Sequence, residues 1–368
     1  EWDTKGLPII RIQNLNGSGN YNYFSGVPQD KWLVEPGQLL FSWAGTKGVS
    51  FGPFIWNGPK GVLNQHIYKV FANENVHEHW LYLALLHITQ KIEAQAHGFK
   101  STLLHVQKKD IDNQFVLTPP VAEQKKISQI LSTWNKAISV TEKLLANSQQ
   151  QKKALIQQLL TGKKRLLDEN GVRFSGEWCT CTLSEVAHII MGSSPKSEAY
   201  NDNGLGLPLI QGNADIKCRV SCPRVYTSDI TKECTPGDIL LSVRAPVGTV
   251  ALSQHKACIG RGISAIKSKR KMSQSFLYQW FLWFEPKWCY LSQGSTFESI
   301  NSDDIKTLKL SVPNFEEQQK IAAVLSAADT EISTLEKKLA CLKNEKKALM
   351  QQLLTGKRRV KVDEAVAV

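Results

Sequence analysis

Side chains able to read the edges of base pairs gather at a few places in this chain. Arg11, Gln13, Asn14 and Asn16 follow the strand-like run Leu7-Pro8-Ile9-Ile10, and Asn64, Gln65 and His66 follow Gly61. Further along, Gln211, Asn213 and Arg219 hold the related position after Leu207-Pro208-Leu209-Ile210. Arg244 follows a second apolar strand, and Arg261 lies between Gly260 and Gly262. Planar donors and acceptors of these types recognise base edges, arginine on guanine and asparagine or glutamine on adenine. Lys267, Lys269, Arg270 and Lys271 form a short basic run of the kind that meets phosphates, which fix register rather than sequence. The glycines beside Arg261 would let backbone approach a phosphate closely. Each side chain taken alone also reads as a solvated loop residue, so the set carries the argument.

Other chemistries find less support. No Asn-Pro-Pro-Tyr/Phe methyltransferase motif and no glycine-rich nucleotide loop is present. Thr-Gly-Lys at 161–163 and 355–357 lacks the upstream glycine and the following Ser/Thr of a phosphate loop. His77-Glu78-His79 lacks the i, i+4 spacing of a helical zinc site, and the other histidines, His97 among them, read as helix or loop surface. All eight cysteines follow residue 178 (Cys179, Cys181, Cys218, Cys222, Cys234, Cys258, Cys289 and Cys341), none in paired Cys-x2-Cys spacing, so ordinary thiols are expected. No metal site and no catalytic residue is expected. The net charge of +12 is spread over the chain rather than held in one tail, which permits phosphate binding without establishing it. No apolar run reaches the roughly 20 residues of a membrane span, and a cytoplasmic protein is expected.

The elements that must position these residues are announced by a repeat. Residues 123–165 align without a gap to 317–359, and 24 of the 43 positions are identical. A period this long is no solenoid, whose units run to about 20–50 residues. In the second copy Ile321, Leu325, Ala328, Ile332, Leu335, Leu339, Leu342, Lys346, Leu349 and Leu353 alternate steps of four and three, the pattern of a coiled-coil seam. The first copy keeps the register with Ile127, Leu131, Trp134, Ile138, Thr141, Leu145, Ser148, Lys152, Leu155 and Leu159. Lys152 and Lys346 share one seam position, where a lysine either fixes register or snorkels to solvent. Pro120 and Pro313 precede the helices, and Gly162 and Gly356 stand where a glycine would end them, with a basic triplet at each negative terminus. A helix of roughly 38 residues is about 57 Å long and needs a partner along its length. The second copy is the natural one, antiparallel because a globular stretch returns the chain, in a rod that would hold two globular domains apart with pseudo-two-fold symmetry.

The stretches between helices are related more distantly. Pro36-Gly37 and Pro236-Gly237 each lead into an apolar strand, Trp80-Leu81-Tyr82 and Phe276-Leu277-Tyr278 open aromatic helical stretches, Gly98 and Gly294 follow, and Asp110-Ile111 and Asp304-Ile305 lead into the final strands. Mixed α/β domains on one scaffold with different loops are expected. Position 1 corresponds to about 201, so residues 178–200 have no counterpart, and the first domain is expected to lack its opening two dozen residues.

This arrangement resembles the specificity subunits of type I restriction–modification systems over essentially the whole chain. Glu123-Gln124…Ile127 and Glu317-Gln318…Ile321 near the helix starts carry the resemblance, with Gln157–Lys163 and Gln351–Lys357 at the ends. Pro-Gly-Asp-Ile-Leu at 236–240 and Gly260-x-Gly262 look like landmarks of the family's target recognition domains. The resemblance implies a target recognition domain at 1–118, a helical spacer at 119–165, a linker and second recognition domain at 166–312, a second spacer at 313–359 and a tail at 360–368. It implies a non-catalytic prokaryotic subunit that binds a split, asymmetric double-stranded DNA target and scaffolds two methyltransferase subunits and restriction subunits. S-adenosylmethionine would be held by the methyltransferase partner, and ATP and magnesium by the restriction subunit. Spacing and docking fall in this reading to Glu123, Gln124, Ile127, Lys152, Leu155, Leu159 and their counterparts Glu317, Gln318, Ile321, Lys346, Leu349, Leu353. The competing readings are a coiled-coil adaptor between proteins and a silent or exchange-generated specificity allele.

Overall fold

The computed structural model describes residues 3–95, 103–244, 246–288 and 299–362. Gly98, Gly294, His97, Cys289 and the tail beyond 362 lie outside the described residues. The chain divides into two compact units, and neither follows the linear division above. One comprises Glu1–Lys143 with Lys337–Val368, the other Leu144–Glu336. Each therefore joins one globular segment to the first half of one repeated helix and the second half of the other.

The globular part of the first unit contains β1 (Leu7–Ile10), α1 (Ile12–Leu15), β2 (Asn22–Phe24), β3 (Leu33–Val34), β4 (Leu39–Ser42), β5 (Ala44–Thr46), β6 (Gly52–Ile55), β7 (Gly61–Leu63) and β8 (Ile67–Lys69). Then come α2 (Glu78–Gln95), β9 (Leu103–His105), α3 (Lys108–Asp112) and the long α4 (Val121–Leu159). The strands make a sheet of order β2-β1-β7-β3, a sheet of order β6-β4-β8, and the pair β5-β9. β1 and β7 run parallel, Ile9 opposite Val62 and Ile10 opposite Leu63. β4 is buried along its whole length, as its unbroken apolar run Leu39-Leu40-Phe41 requires.

The second unit repeats the plan with longer sheets. It contains β10 (Cys179–Thr182), α5 (Leu183–Val186), β11 (Ala187–Met191), β12 (Tyr200–Asn201), β13 (Leu207–Ile210), β14 (Ile216–Lys217), β15 (Val220–Ser221) and β16 (Val225–Thr227). These lead to β17 (Glu233–Cys234), β18 (Ile239–Ser242), β19 (Val250–Leu252), β20 (Ala257–Ile259), β21 (Ile263–Ser268), α6 (Gln274–Phe284), α7 (Ser302–Lys306), β22 (Lys309–Val312) and the long α8 (Phe315–Leu354). The sheet orders are β11-β21-β18-β19-β15-β14 and β12-β16-β13-β20-β17, with β10 paired to β22. β13 and β20 run parallel, Ile210 opposite Ile259, matching β1 and β7.

In both units an aromatic helix of the globular segment packs on the helix pair in the same way. In the first unit Trp80 and Leu83 of α2 pack with Ile127 and Leu131 of α4 and with Leu353 and Leu354 of α8. In the second, Phe276 and Trp280 of α6 share a core with Ile321 and Leu325 of α8 and with Leu159 and Leu160. Each such aliphatic side chain removed from water contributes about 1.5–3 kcal/mol. Every seam position named above is buried or half-buried, so the heptad spacing describes a packed face. Within both units the helices are antiparallel. Glu142 meets Lys343 while Glu123 meets Arg359, and Ser148 meets Glu331 while Lys152 meets Asp329.

The helix ends obey their sequence signals. Asn314 caps α8 through its side-chain oxygen, which accepts from the Glu317 N–H at 2.9 Å. Gly162 and Gly356 both take φ +70°, the left-handed conformation that ends a helix at little cost for glycine. Back-bonds from Lys164 N to Gln158 O (3.0 Å) and Arg358 N to Gln352 O (3.1 Å) close the final turns.

Candidate nucleic-acid interface

At the base of each helix pair, the repeated Glu-Gln dipeptide holds the globular segment. The Gln124 side-chain oxygen accepts from His77 N at 2.7 Å, and its amide donates to Asn75 O (3.0 Å) and Pro119 O (2.8 Å). Gln318 repeats this with Ser273 N (2.8 Å), Pro313 O (2.9 Å) and Lys271 O (3.4 Å). Beside them, Arg359 bonds Glu123 and Arg165 bonds Glu317, each arginine lying just beyond one helix and each glutamate opening the other. The Arg359 guanidinium and the Val360 N–H hold the Glu123 carboxyl below the usual carboxylate range. Arg165 and Arg359, read above only as charges at helix termini, are thus the second halves of two clamps. Glu123, Gln124, Ile127, Glu317, Gln318, Ile321, Leu159 and Leu353 are all buried. Their contacts are internal to the fold. Leu155 and Leu349 are half-buried in the seam. Lys152 forms an ion pair with Asp329, which also accepts from Gln279 at 2.8 Å. Lys346, its counterpart, has no ion-pair partner among the described residues, and burial lowers its pKa.

The parallel strand pairs bring the base-reading candidates together. Arg11 follows β1 and Asn64 follows β7, and the Asn64 N–H donates to Ile10 O at 3.0 Å. Arg11, Gln13, Asn64, Gln65 and His66 therefore share one end of the sheet, although some 50 residues separate the two groups in the chain. Gln13 is exposed and donates to Asn20 O, while Gln65 is exposed beside His66, their nitrogens 3.2 Å apart. Asn14 is not available for reading. It is buried, accepts from Arg11 N at 3.0 Å and donates to Ser18 O and Asn20 O, which moulds the loop instead.

In the second unit Gln211 follows β13, while Arg261 follows β20. Gly260 N donates to Ile210 O (2.9 Å) and Gly262 N to Gln211 O (3.1 Å), so this end of the sheet is stitched as in the first unit. A Cβ on Gly262 would lie 2.3 Å from Gln211 O, and one on Gly260 would lie 3.1 Å from Gln211 Cα. Gly262 is required by the chain's own backbone and Gly260 sits tightly against it, which accounts for the pair without a phosphate approach. Asp215 plays the part of Asn14: buried, it accepts from Gln211 N (2.9 Å) and from Arg224 (3.0 Å). Asn213 opens the short turn that carries Asp215. Arg261 is exposed and donates to Ser194 at 3.0 Å. Arg244 is exposed near this end, because Val243 N donates to Gly262 O at 2.9 Å.

Two expected contacts lie elsewhere. Arg219 sits at the β14–β15 turn and donates to Val250 O and to Glu285, so it clamps a hairpin rather than offering a free fork. The basic run lies at the far end of the six-residue strand β21 from Arg261, about 20 Å away at strand rise. There Lys267, Arg270 and Lys271 are exposed, while the Lys269 ammonium donates to Ser184 O.

The structure adds residues that no motif signalled. Trp43 stands between His66 (centroids 5.0 Å apart) and His105 (4.6 Å), and it stacks on Tyr68. This aromatic group borders the Gln65 end of the first sheet. The pairing of Ala44 with His105 creates it, and only the fold reveals that pairing. Asp215 and Arg224 went unseen because an acidic residue in a basic loop carries no reading chemistry of its own.

Among the described residues no three or more metal-binding side chains converge. No described helix is long and apolar enough to cross a membrane. The model of the type I restriction modification DNA specificity domain matches residues 1–147 and again 175–344. The chain belongs to the type I restriction–modification specificity subunit family. The protein named as the MjaX type I restriction enzyme specificity subunit of Methanocaldococcus jannaschii is 32% identical over 98% of this chain and 89% of its own length. The EcoBI specificity subunit of Escherichia coli is 24% identical over 86% of this chain and 72% of its own. Among solved structures, a chain from a type I R-M system assembly superposes with TM-score 0.62 at 24% identity, covering 96% of this chain and 92% of that one. The S subunit from M. genitalium gives TM-score 0.61 at 16% identity, covering 96% and 93%. As a member of this family the chain serves DNA target recognition as a non-catalytic subunit, and it does so on a mixed α/β fold with long helices paired within each unit.

Proposed function

We propose that this specificity subunit reads a split, asymmetric DNA target, one half with each globular segment, and carries two methyltransferase subunits together with restriction subunits. The observation that supports this most directly is one scaffold bearing two different sets of side chains. At the matched sheet ends the first unit offers Arg11, Gln13, Asn64, Gln65 and His66, and the second offers Gln211, Asn213, Arg244 and Arg261. Equivalent positions with different hydrogen-bonding chemistry are what reading two unlike half-sites requires. The exposed faces of α4 and α8 are the surfaces left for partner subunits. In this reading S-adenosylmethionine belongs to the methyltransferase, and ATP and magnesium to the restriction subunit.

Long-read methylation mapping of cells expressing this chain with its methyltransferase tests the proposal. A new split motif, modified in both halves, is expected. Replacing residues 178–313 alone should change one half of that motif and leave the other. Both halves changing together would sink the one-segment, one-half assignment, and no salt-dependent DNA affinity at all would favour a protein adaptor.

A further inference from the structure

The first repeat carries a basic groove that the second has lost. On the α4 half within the first unit, a cavity of about 430 Å³ is lined by Lys125, Ser132 and Lys136 of the helix and by His77 and His79 at the start of α2. No carboxylate lines it, and neither lysine has an ion-pair partner among the described residues. Ser132 and the His79 ring lie 3.2 Å apart, while a ring nitrogen of His77 is buried with no hydrogen-bond partner. Burial, aided by the neighbouring His77, lowers the His79 pKa, so the lasting positive charge comes from the two lysines.

The sequence repeat supplies an internal comparison. The Gln124 and Gln318 clamps fix the register, His77 N–H and Ser273 N–H being equivalent donors. At the matched places the second repeat has Gln319 for Lys125, Ala322 for Ser128, Ala327 for Thr133 and Thr330 for Lys136, with Ser273 and Ser275 for the two histidines. Both lysines and both histidines are gone. The buried positions between them, Ile127 and Leu131 against Ile321 and Leu325, are unchanged in type. Packing therefore does not require the basic set.

We propose that this groove on the first unit binds the DNA backbone outside the sequence-reading loops, a contact with no counterpart in the second repeat. Lys125 and Lys136 are eleven residues apart, about 16 Å along the helix axis, and they bracket the groove. That separation is longer than a single small anion spans and reaches between non-adjacent phosphates along one strand. Lysine, hydroxyl and amide groups are the usual phosphate-binding side chains. The phosphate chemistry stands on the groove itself, whereas DNA as its source rests on the specificity reading above.

The test compares the salt dependence of duplex binding by the full subunit, with its methyltransferase, before and after Lys125→Gln/Lys136→Thr. These replacements are the residues of the second repeat, so the helix is expected to tolerate them. Each phosphate contact contributes about 0.9 to the slope of log K against log salt. The double variant should lower that slope by about 1–2 on target and non-target duplexes alike, with the methylated motif unchanged. A charge-matched control, Lys153→Gln/Lys338→Gln, should leave it unaltered. The converse pair, Gln319→Lys/Thr330→Lys, should raise it. An unchanged slope in the first variant, with specific binding intact, overturns the groove alone. So does weakened association with the methyltransferase at unchanged slope, which would make the groove a seat for an acidic protein surface. Absence of specific DNA binding by the unaltered protein would instead overturn the reading beneath it.

Discussion

Arg165 holds Glu317 by two parallel hydrogen bonds, Nε to Oε1 at 2.7 Å and Nη2 to Oε2 at 2.6 Å, across 152 positions of sequence. Arg359 holds Glu123 likewise, but more openly: its side chain is 67% exposed, against 20% for Arg165. Removing one member of a buried pair strands the other charge, and solvent screening reduces that cost. Arg165→Ala should therefore cost about 2–4 kcal/mol and Arg359→Ala distinctly less. Urea unfolding of the two variants checks the ranking, and equal losses would show that burial does not grade the clamps.

Acid should loosen the first unit through Glu123. Its carboxyl is held below the usual range by Arg359 and Val360, so the folded state favours the ionised form. The associated stability is fully present above the ordinary carboxylate pKa and is lost as pH falls through the lowered one. Glu123→Gln should destabilise the protein at neutral pH and flatten the acid limb of a stability-against-pH curve. A variant whose acid limb matches that of the unaltered protein would remove Glu123 from the account.

The glutamine clamps discriminate between size and hydrogen bonding. Two of the three bonds made by Gln318 need an N–H donor, and its side chain is 2% exposed. Gln318→Glu keeps the shape but loses the donors, so it should cost as much as Gln318→Ala, on the order of 2–4 kcal/mol. Thermal unfolding of the pair would show it, and a benign Gln318→Glu would argue that shape alone matters.

The unequal seam lysines invite a repair. Lys152 meets Asp329, whereas the residue equivalent to Asp329 on the strand of the seam facing Lys346 is Asn135. Asn135→Asp should provide the missing counter-ion and stabilise the protein by about 0.5–1 kcal/mol, an effect reduced by salt. Asp329→Asn should do the reverse. Chemical denaturation at two ionic strengths measures both, and a salt-independent change would deny an ion pair.

The β14–β15 turn carries strain at Cys218 and Arg219, which take φ 48° and 65°. Two-residue hairpin turns of this hand favour asparagine and glycine. Cys218→Asn should stabilise the protein by about 0.5–1 kcal/mol and leave the methylated motif unchanged. A changed motif would place this hairpin in the reading surface after all.

Much of this could be read from residue spacing. The heptads of α4 and α8 announce the helices, because an apolar seam is a local periodicity. Their length calls for a partner, and the globular stretch between them sets the antiparallel direction. Gly162 and Gly356 marked the helix ends for a local reason. The clamps were hidden, since Arg359 and Glu123 are 236 residues apart and each looks locally like a helix-terminus charge. Asn14 departs from the base-reading expectation for a related reason: a carboxamide that reads a base and one that moulds a loop have the same formula, and only burial separates them. The glycines beside Arg261 showed that backbone came close to something, but not that the something was Gln211.

The interleaved make-up of the first unit bears on how the protein is born. Lys143 and Lys337 belong to the same unit but leave the ribosome 194 residues apart. At about 5–20 residues per second the earlier part waits roughly 10–40 s for the later one. During that wait Ile127, Leu131 and Trp80 have no Leu353 to cover them. The second unit, contiguous from Leu144 to Glu336, can close while the first is still open. Order of synthesis and order of completion are thus reversed, and the nascent chain is most in need of chaperone protection at its oldest end.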